Sequence, residues 1–400
     1  MRCRTTFQLA ITAAIVALHW LLPPQRVGLS KRRQSELFRR RKHSNADPWT
    51  SPFGRMLRDP ETRDPASHAH SLFRRRTRIP YAMLSSLVTL FEDPLRSLRG
   101  VADACGKVAA PLELKILACL YILGRAGTYD DAEMLCGISK TVIKEFFVHF
   151  VMTMAGTQLK EFAIPSVLDT KFVFYAIGLY DQFIYPPRQD GDLPAVLQMY
   201  EHLGFPGCVG STDCVHILWD RCPQAQRILY GSRYGRPTIA YSFVVDHTRR
   251  IRSVTPGHPG SRNDKAIIRF DKFVNDLKYG RLYPDATFEG FGSDGTKVAL
   301  SGYYLLCDGG YHRWRILQCP NRFANYEWES KWSKQIESVR KDVECTFGIL
   351  KRRFRILKVA SEVRNKTKID NIMFTCAITS CSQITSCSHV DLLHTLLSKI

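Results

Sequence analysis

The sequence predicts an α/β protein, a mixed sheet flanked by helices, preceded by a small all-α region. Three observations carry that expectation. Between residues 204 and 360, runs rich in β-branched and aromatic residues alternate with helical periodicity in the order β-β-β-α-β-α. Upstream, residues 77–160 repeat apolar side chains at steps of three and four, punctuated by helix caps and breakers. Finally, the 400-residue chain is 45% hydrophobic and 24% charged, which is enough apolar material to bury a real core and excludes a disordered chain.

Taken in order, residues 1–25 form an apolar leader. Residues 5–24 hold no Asp, Glu, Lys or Arg and come after Arg2 and Arg4, so the stretch reads as a signal sequence, a signal anchor, an organelle leader or a misassigned start. No small-residue cleavage site comes after it. Residues 26–76 read as a flexible basic arm without its own core, with 14 Lys+Arg against 5 Asp+Glu. Within it, Lys31-Arg32-Arg33 and Arg39-Arg40-Arg41-Lys42 fit a nuclear import signal, a phosphate-binding arm or a solvated linker.

Pro80 and Pro111 each open a helical pattern, the first through Met83, Leu84, Leu87 and Leu90, the second through Leu114, Leu117 and Leu120. Thr128 and Asp131 have the spacing of a capping box, Gly137 breaks the chain, and Ser139 is placed to cap a helix carrying Ile143, Phe146, Phe147 and Phe150. This helix-turn-helix-like region, residues 77–160, suits either DNA-end recognition, with Lys140 and Lys144 on phosphates, or a helical bundle that braces the α/β domain. A connecting helical segment is expected over 161–203.

The downstream region is organised around Gly210-Ser211-Thr212-Asp213-Cys214-Val215-His216-Ile217, which reads as a buried strand carrying one charge. Residues 238–245 and 251–254 predict a β-hairpin beside it, and 263–277 a helix with Ile267, Ile268, Phe270, Phe273, Val274 and Leu277 facing in. Tyr303-Tyr304-Leu305-Leu306-Cys307 predicts a strand that delivers Asp308 to a Gly309-Gly310 turn. Trp332, Ile336, Val339, Val343, Phe347, Leu350 and Phe354 form the stripe of an amphipathic helix, with Glu344 beside the stripe. Residues 361–400 are left as a C-terminal tail, and the spacing of Cys376, Cys381, Cys387 and His389 matches no common zinc site.

Asp213, Asp308 and Glu344 can therefore converge at the edge of one core. Carboxylates gathered without a lysine or arginine among them repel one another, and hard oxygen-seeking cations, Mg²⁺ or Mn²⁺, relieve that repulsion. Two such ions can serve phosphodiester cleavage. The same spacing also suits three unrelated positions: a turn cap, a loop start and a solvated helix residue. Asp264 is either a further ligand or a helix-start residue, the latter reading being the commoner one. His216 is a candidate for substrate or metal contact, or a packed strand histidine. Arg340, Lys341, Lys351, Arg352 and Arg353 supply charge around Glu344 and read as DNA-backbone contacts or as a solvated face. A net charge of +20 points to an anionic partner, nucleic acid before an acidic membrane, and thirteen cysteines with no CxxC pair fit a reducing compartment.

Several blocks resemble, in order, the PIF/Harbinger transposases of the plant-transposon branch. They are Gly204-Phe205-Pro206-Gly207-Cys208-Val209-Gly210-Ser211-Thr212-Asp213-Cys214-Val215-His216 with Trp219 and Cys222-Pro223, then Gly235-Arg236-Pro237-Thr238, Pro259-Gly260-Ser261-Arg262-Asn263-Asp264, Asp308-Gly309-Gly310-Tyr311, and Arg340-Lys341-Asp342-Val343-Glu344 with Phe347-Gly348. The resemblance runs over about residues 73–359. It implies an RNase H-like DDE nuclease domain over 204–360 with catalytic, metal-binding Asp213, Asp308 and Glu344, two divalent ions (Mg²⁺ or Mn²⁺), and a DNA substrate such as transposon ends. It also implies a separate Myb-like partner protein; a homo-oligomer is a further expectation. His312 departs from the proline common in the family and puts the shape of its loop in question. Function is then either DNA cleavage, with strand transfer, or DNA and chromatin binding by a domesticated, non-catalytic descendant. A nuclear location is expected, against the apolar leader.

Overall fold

The computed structural model describes residues 47–92, 110–156 and 180–381, apart from 233, 234, 293, 294 and 322. The apolar leader, both basic clusters of the arm, Cys387 and His389 lie outside the described residues. Among the described residues, no helix is long and apolar enough to cross a membrane.

The chain enters through α1 (Pro52–Arg58), whose N-terminus is held by the Ser51 hydroxyl accepting from Gly54 N–H, and α2 (His68–Thr77), capped by Ser67. The second half of the stretch expected to be a coreless arm is thus folded. Phe53, Met56, Leu57 and Phe73 are buried in the same hydrophobic cluster as the next helices of the chain. Composition misled here because charge content does not report whether the apolar minority lines up on one helix face; in α2 the three arginines of the last turn leave Phe73 and Thr77 on the buried side. Then come α3 (Tyr81–Glu92), α4 (Leu112–Arg125), α5 (Tyr129–Cys136) and α6 (Lys140–Ala155). The Thr128–Asp131 capping box forms, and Gly137 ends α5 in the left-handed region at φ 65°. Ser139 occupies the cap position of α6 but makes no side-chain cap bond.

After α7 (Leu193–His202) the sheet begins with β1 (Cys208–Leu218), then the single turn α8 (Arg227–Tyr230), β2 (Thr238–Val245), β3 (Ile251–Val254) and β4 (His258–Pro259). The short helices α9 (Asp264–Ile267) and α10 (Lys272–Lys278) stand where one helix was expected. The break has a local cause. Asp271 is fully buried, with its carboxylate accepting from Val274 N–H and Ser253 Oγ, so it caps a second helix instead of continuing the first. The remaining elements are β5 (Thr287–Phe291), β6 (Lys297–Ser301), β7 (Tyr304–Leu306), β8 (Leu317–Gln318), α11 (Glu327–Arg353) and α12 (Lys366–Ser380).

The sheet order is β3-β2-β1-β7-β8, with β4 also paired to β2. The expected hairpin is present, β2 lying antiparallel to both β1 and β3, whereas β7 and β8 run parallel to β1. β5 and β6 form a separate, largely exposed hairpin that the sequence patterns did not lead us to expect. Apolar clusters line both faces of the sheet. One joins Val215, Ile217, Tyr241 and Phe243 to α11, α12 and the N-terminal helices; the other joins Val209, Val244 and Leu305 to Ile268, Phe273 and Val274. The expected tail therefore contains a core element: α12 buries Ile369, Ile372, Met373, Phe374, Ala377 and Ile378. From Ile369 to Thr379 the helix is buried all round, with Asp370, Asn371, Thr375 and Thr379 among the buried residues, and so lacks the one-sided apolar stripe that flags a surface helix in sequence.

Candidate active site

β1 places Asp213 and β7 delivers Asp308. Ser211 lies beside Leu306 in the parallel pairing, so two residues further along each chain Asp213, in the middle of β1, and Asp308, just past the end of β7, come close enough to act on each other. A Cβ at Gly210 would stand 3.0 Å from the Val245 carbonyl oxygen of β2 and 3.2 Å from the Leu305 side chain of β7, so glycine permits the close approach on both sides of β1. Beyond Leu306 the chain turns through Gly309-Gly310, and Gly310 N–H donates to Asp308 Oδ1 at 2.6 Å. α11 packs across β1, with Phe347 edge-on to Phe243, the residue paired with Asp213. That packing brings Arg340 and Glu344, one helical turn apart, to the Asp213 side of the sheet.

Arg340 joins the acidic groups. One guanidinium nitrogen meets Asp213 Oδ2 at 2.9 Å and another meets Glu344 Oε1 at 2.8 Å. The Asp213 and Arg340 side chains are only 18% and 15% exposed, whereas Glu344 is 50% exposed. The other Asp213 oxygen accepts from Cys214 N–H at 2.8 Å. Burial pushes the Asp213 carboxyl up to about 6, against the pull of that N–H and of Arg340, and the negative charges of Asp308 and Asp264 push the same way as burial. A cation inside the cluster is a correction to the sequence argument, which had gathered the carboxylates without one and assigned Arg340 to DNA. Helical spacing put Arg340 on the Glu344 side; only the docking of α11 on β1 decided that its guanidinium reaches Asp213.

Asp264 stands in the first turn of α9, as the helix-start reading expected, and it also acts on the acidic centre. Asn263, not Asp264, caps α9, accepting from Ala266 N–H, and Asp264 acts on both Asp213 and the Cys214 thiol. The adjacent Asn-Asp pair was the available signal, because one helix start needs only one cap. Among the described residues, no three His, Cys, Asp or Glu side chains are grouped so as to hold one metal ion. Arg340 holds the position between Asp213 and Glu344.

The other candidates separate. His216 lies three residues beyond Asp213 and so on the opposite face of β1, with Nδ1 3.0 Å from Thr238 Oγ1. Together with Cys214, Thr238, Arg236 and Lys351 it lines an open cavity of about 450 Å³. Lys351 donates to the His216 carbonyl at 3.1 Å, and burial lowers its pKa. Lys341 and Arg352 are exposed on α11. Arg353 instead donates to the Arg78 carbonyl and packs on Met83, tying α11 to the N-terminal helices. Lys140 pairs with Asp130 at 2.8 Å, while Lys144 is exposed. His312 stacks on Trp314 and reaches the Lys265 carbonyl, so its departure from the family pattern shapes the loop beyond Asp308. The ten described cysteines are free thiols, and Cys307 and Cys319 approach to 3.2 Å just behind Asp308.

A mixed sheet with carboxylates in the middle of one strand, just past the end of its parallel neighbour and on a crossing helix defines an α/β protein with an acidic centre. The chain belongs to the plant transposon protein family, whose model matches residues 182–389. It is 24% identical over 177 residues to the human protein named "Putative nuclease HARBI1", covering 44% of this chain and 45% of that one. A rat protein of the same name is 24% identical over 179 residues, covering 44% and 45% of the two chains. "Protein ALP1-like" of Arabidopsis thaliana is 21% identical over 281 residues, covering 67% of this chain and 60% of that one. The matched region thus spans less than half of these HARBI1 proteins. No solved structure gives a significant match.

Proposed function

We propose that the chain is a transposase-derived DNA endonuclease of the DDE type, with an RNase H-like core and a divalent-metal centre at Asp213, Asp308 and Glu344. One observation carries this reading: Asp213 in the middle of β1 and Asp308 just past the end of its parallel neighbour β7 come close enough to act on each other, and Arg340 links Asp213 to Glu344 on the helix that crosses β1. The order β3-β2-β1-β7-β8, antiparallel on one side of β1 and parallel on the other, supports the RNase H-like assignment. Family membership and the names of the relatives support nuclease chemistry.

The donor set fits Mg²⁺ or Mn²⁺, since every candidate ligand is a carboxylate oxygen. Bound there, two such ions would activate the attacking oxygen and stabilise the leaving oxygen of a phosphodiester. The chain's own contribution is to present a largely buried Asp213 on a central strand, with Asp308 and Glu344 beside it, and to neutralise DNA phosphates with the exposed Lys341 and Arg352. At Gly348 a Cβ would meet no atom within 4 Å, so the exposed side of α11 is open for backbone approach. Transposon ends or sites derived from them are the substrate on this reading, with a Myb-like partner, self-association and a nuclear location as its remaining parts.

The test is nicking of duplex DNA by the purified full chain in Mg²⁺ or Mn²⁺. Asp213→Asn, Asp308→Asn and Glu344→Gln should each lower cleavage by roughly 100-fold or more with unchanged circular dichroism, since each removes a ligand charge while keeping volume. Wild-type cleavage by any one of them would remove that residue from the centre. A wild-type chain that binds DNA and never cuts it would favour the domesticated, non-catalytic reading.

A further inference from the structure

The guanidinium of Arg340 bridges Asp213 and Glu344, two of the three carboxylates of the proposed metal centre. Its two bonds, at 2.9 and 2.8 Å, engage one oxygen of each carboxylate, and the remaining Asp213 oxygen is engaged by Cys214 N–H. The arrangement is a built one. Arg340 is 15% exposed, its Nε is buried without a hydrogen-bond partner, and the helix carrying it is fixed against the sheet through Val343 and Phe347. A buried Asp213 beside Asp308 and Asp264 would otherwise be an uncompensated charge, and Arg340 supplies the compensation.

We propose that Arg340 is an internal counter-cation that a divalent metal must displace, and that it thereby couples metal binding to DNA binding. This rests on the metal-centre reading of Asp213, Asp308 and Glu344. A dication and a guanidinium cannot share the same two carboxylates without strong like-charge repulsion. Metal entry therefore releases the guanidinium, which is left at the rim of the site with no carboxylate of its own. A DNA phosphate at the centre offers it a planar, bidentate anionic partner in exchange. Metal and DNA should then each strengthen the binding of the other, by the same factor in both directions. In the absence of both, the arginine keeps the acidic cluster neutralised.

The experiment is Mn²⁺ binding to the full chain, read by the electron paramagnetic resonance signal of free Mn²⁺, with and without a duplex in Ca²⁺-free buffer. Wild type, Arg340→Gln, Arg340→Lys and Asp213→Asn are compared. The expected results are Mn²⁺ affinity on the order of tenfold higher in Arg340→Gln than in wild type, with DNA raising the affinity of wild type but not of Arg340→Gln. Arg340→Lys, which keeps the charge but cannot bridge both carboxylates, should fall between them. Melting in EDTA adds a second readout: Arg340→Gln should melt below wild type there and recover on adding Mn²⁺. Equal Mn²⁺ affinity in wild type and both Arg340 variants, with binding abolished in Asp213→Asn, would overturn this inference and leave the metal centre standing. Absent Mn²⁺ binding, or binding indifferent to Asp213→Asn, would overturn both.

Discussion

Burial pushes two aspartates, Asp213 and Asp271, up to about 6, and they serve different ends. Asp213 has a cation and neighbouring acids beside it, whereas Asp271 is a fully buried helix cap with one carboxylate oxygen lacking a partner. The sign of the Asp271 effect comes from linkage. Its folded pKa is raised above the unfolded value near 4, so the folded state binds the proton more tightly and stability falls as pH rises from about 4 to about 6. Asp271→Asn keeps an acceptor for Val274 N–H and has no charge to desolvate. The variant should therefore lose this pH dependence and be about 2 kcal/mol more stable than wild type at pH 7. Urea midpoints at pH 4, 5, 6 and 7 check it; a difference between the two proteins that does not change with pH would refute the account.

At the scale of elements, α12 is pinned to the sheet by a buried polar contact as well as by its apolar surface. Asp370 accepts from Tyr241 Oη at 2.8 Å and Gly257 N–H at 3.2 Å, and it also pairs with Lys366. Asp370→Ala would leave both the Tyr241 hydroxyl and the Gly257 amide buried without an acceptor, at a cost of about 3 kcal/mol. Tyr241→Phe removes only one of several bonds and should cost about 1 kcal/mol. Urea denaturation of the full chain distinguishes these, and equal costs would mean that the contact contributes little to holding α12. The helix α11 has two tasks on different sides. Ile336, Val339, Val343 and Leu350 bury its inner stripe, which the 3.6-residue period made visible, while Arg340 and Glu344 flank that stripe toward the acidic centre.

For the whole molecule, the +20 charge makes salt dependence the test of the proposed DNA binding. The described part of the basic stretch packs into the core, so a truncation that leaves that core intact removes residues 1–46, of which 26–46 carry eight Lys+Arg against one Glu. DNA affinity should fall steeply with salt, because each neutralised phosphate releases a counterion. A chain beginning at Asp47 should fold and show a shallower slope in a plot of log affinity against log salt. An unchanged slope would assign the first 46 residues to a linker or import role and place all phosphate contacts on the folded part.

The local patterns determined much by themselves. Apolar runs rich in β-branched and aromatic residues located β1, β2, β3 and β7, and the capping box and Gly137 located α5, because those signals act between residues close in the chain. The ordered motifs singled out Asp213, Asp308 and Glu344 before any geometry was available. Tertiary structure alone decided what depends on partners distant in sequence. The parallel pairing of β1 with β7 sets Asp213 beside Asp308 across about ninety residues of chain. Docking of α11 puts a guanidinium between Asp213 and Glu344, and helix α12, expected as tail, completes the core against Tyr241 and Phe374's neighbour Tyr180. Asn263 took the cap and left Asp264 to the acidic cluster, a choice set by the position of α9 beside β1. Periodicity reports which face of an element is buried; it carries no information on which element will cover it, and charges meet only where the covering element brings them.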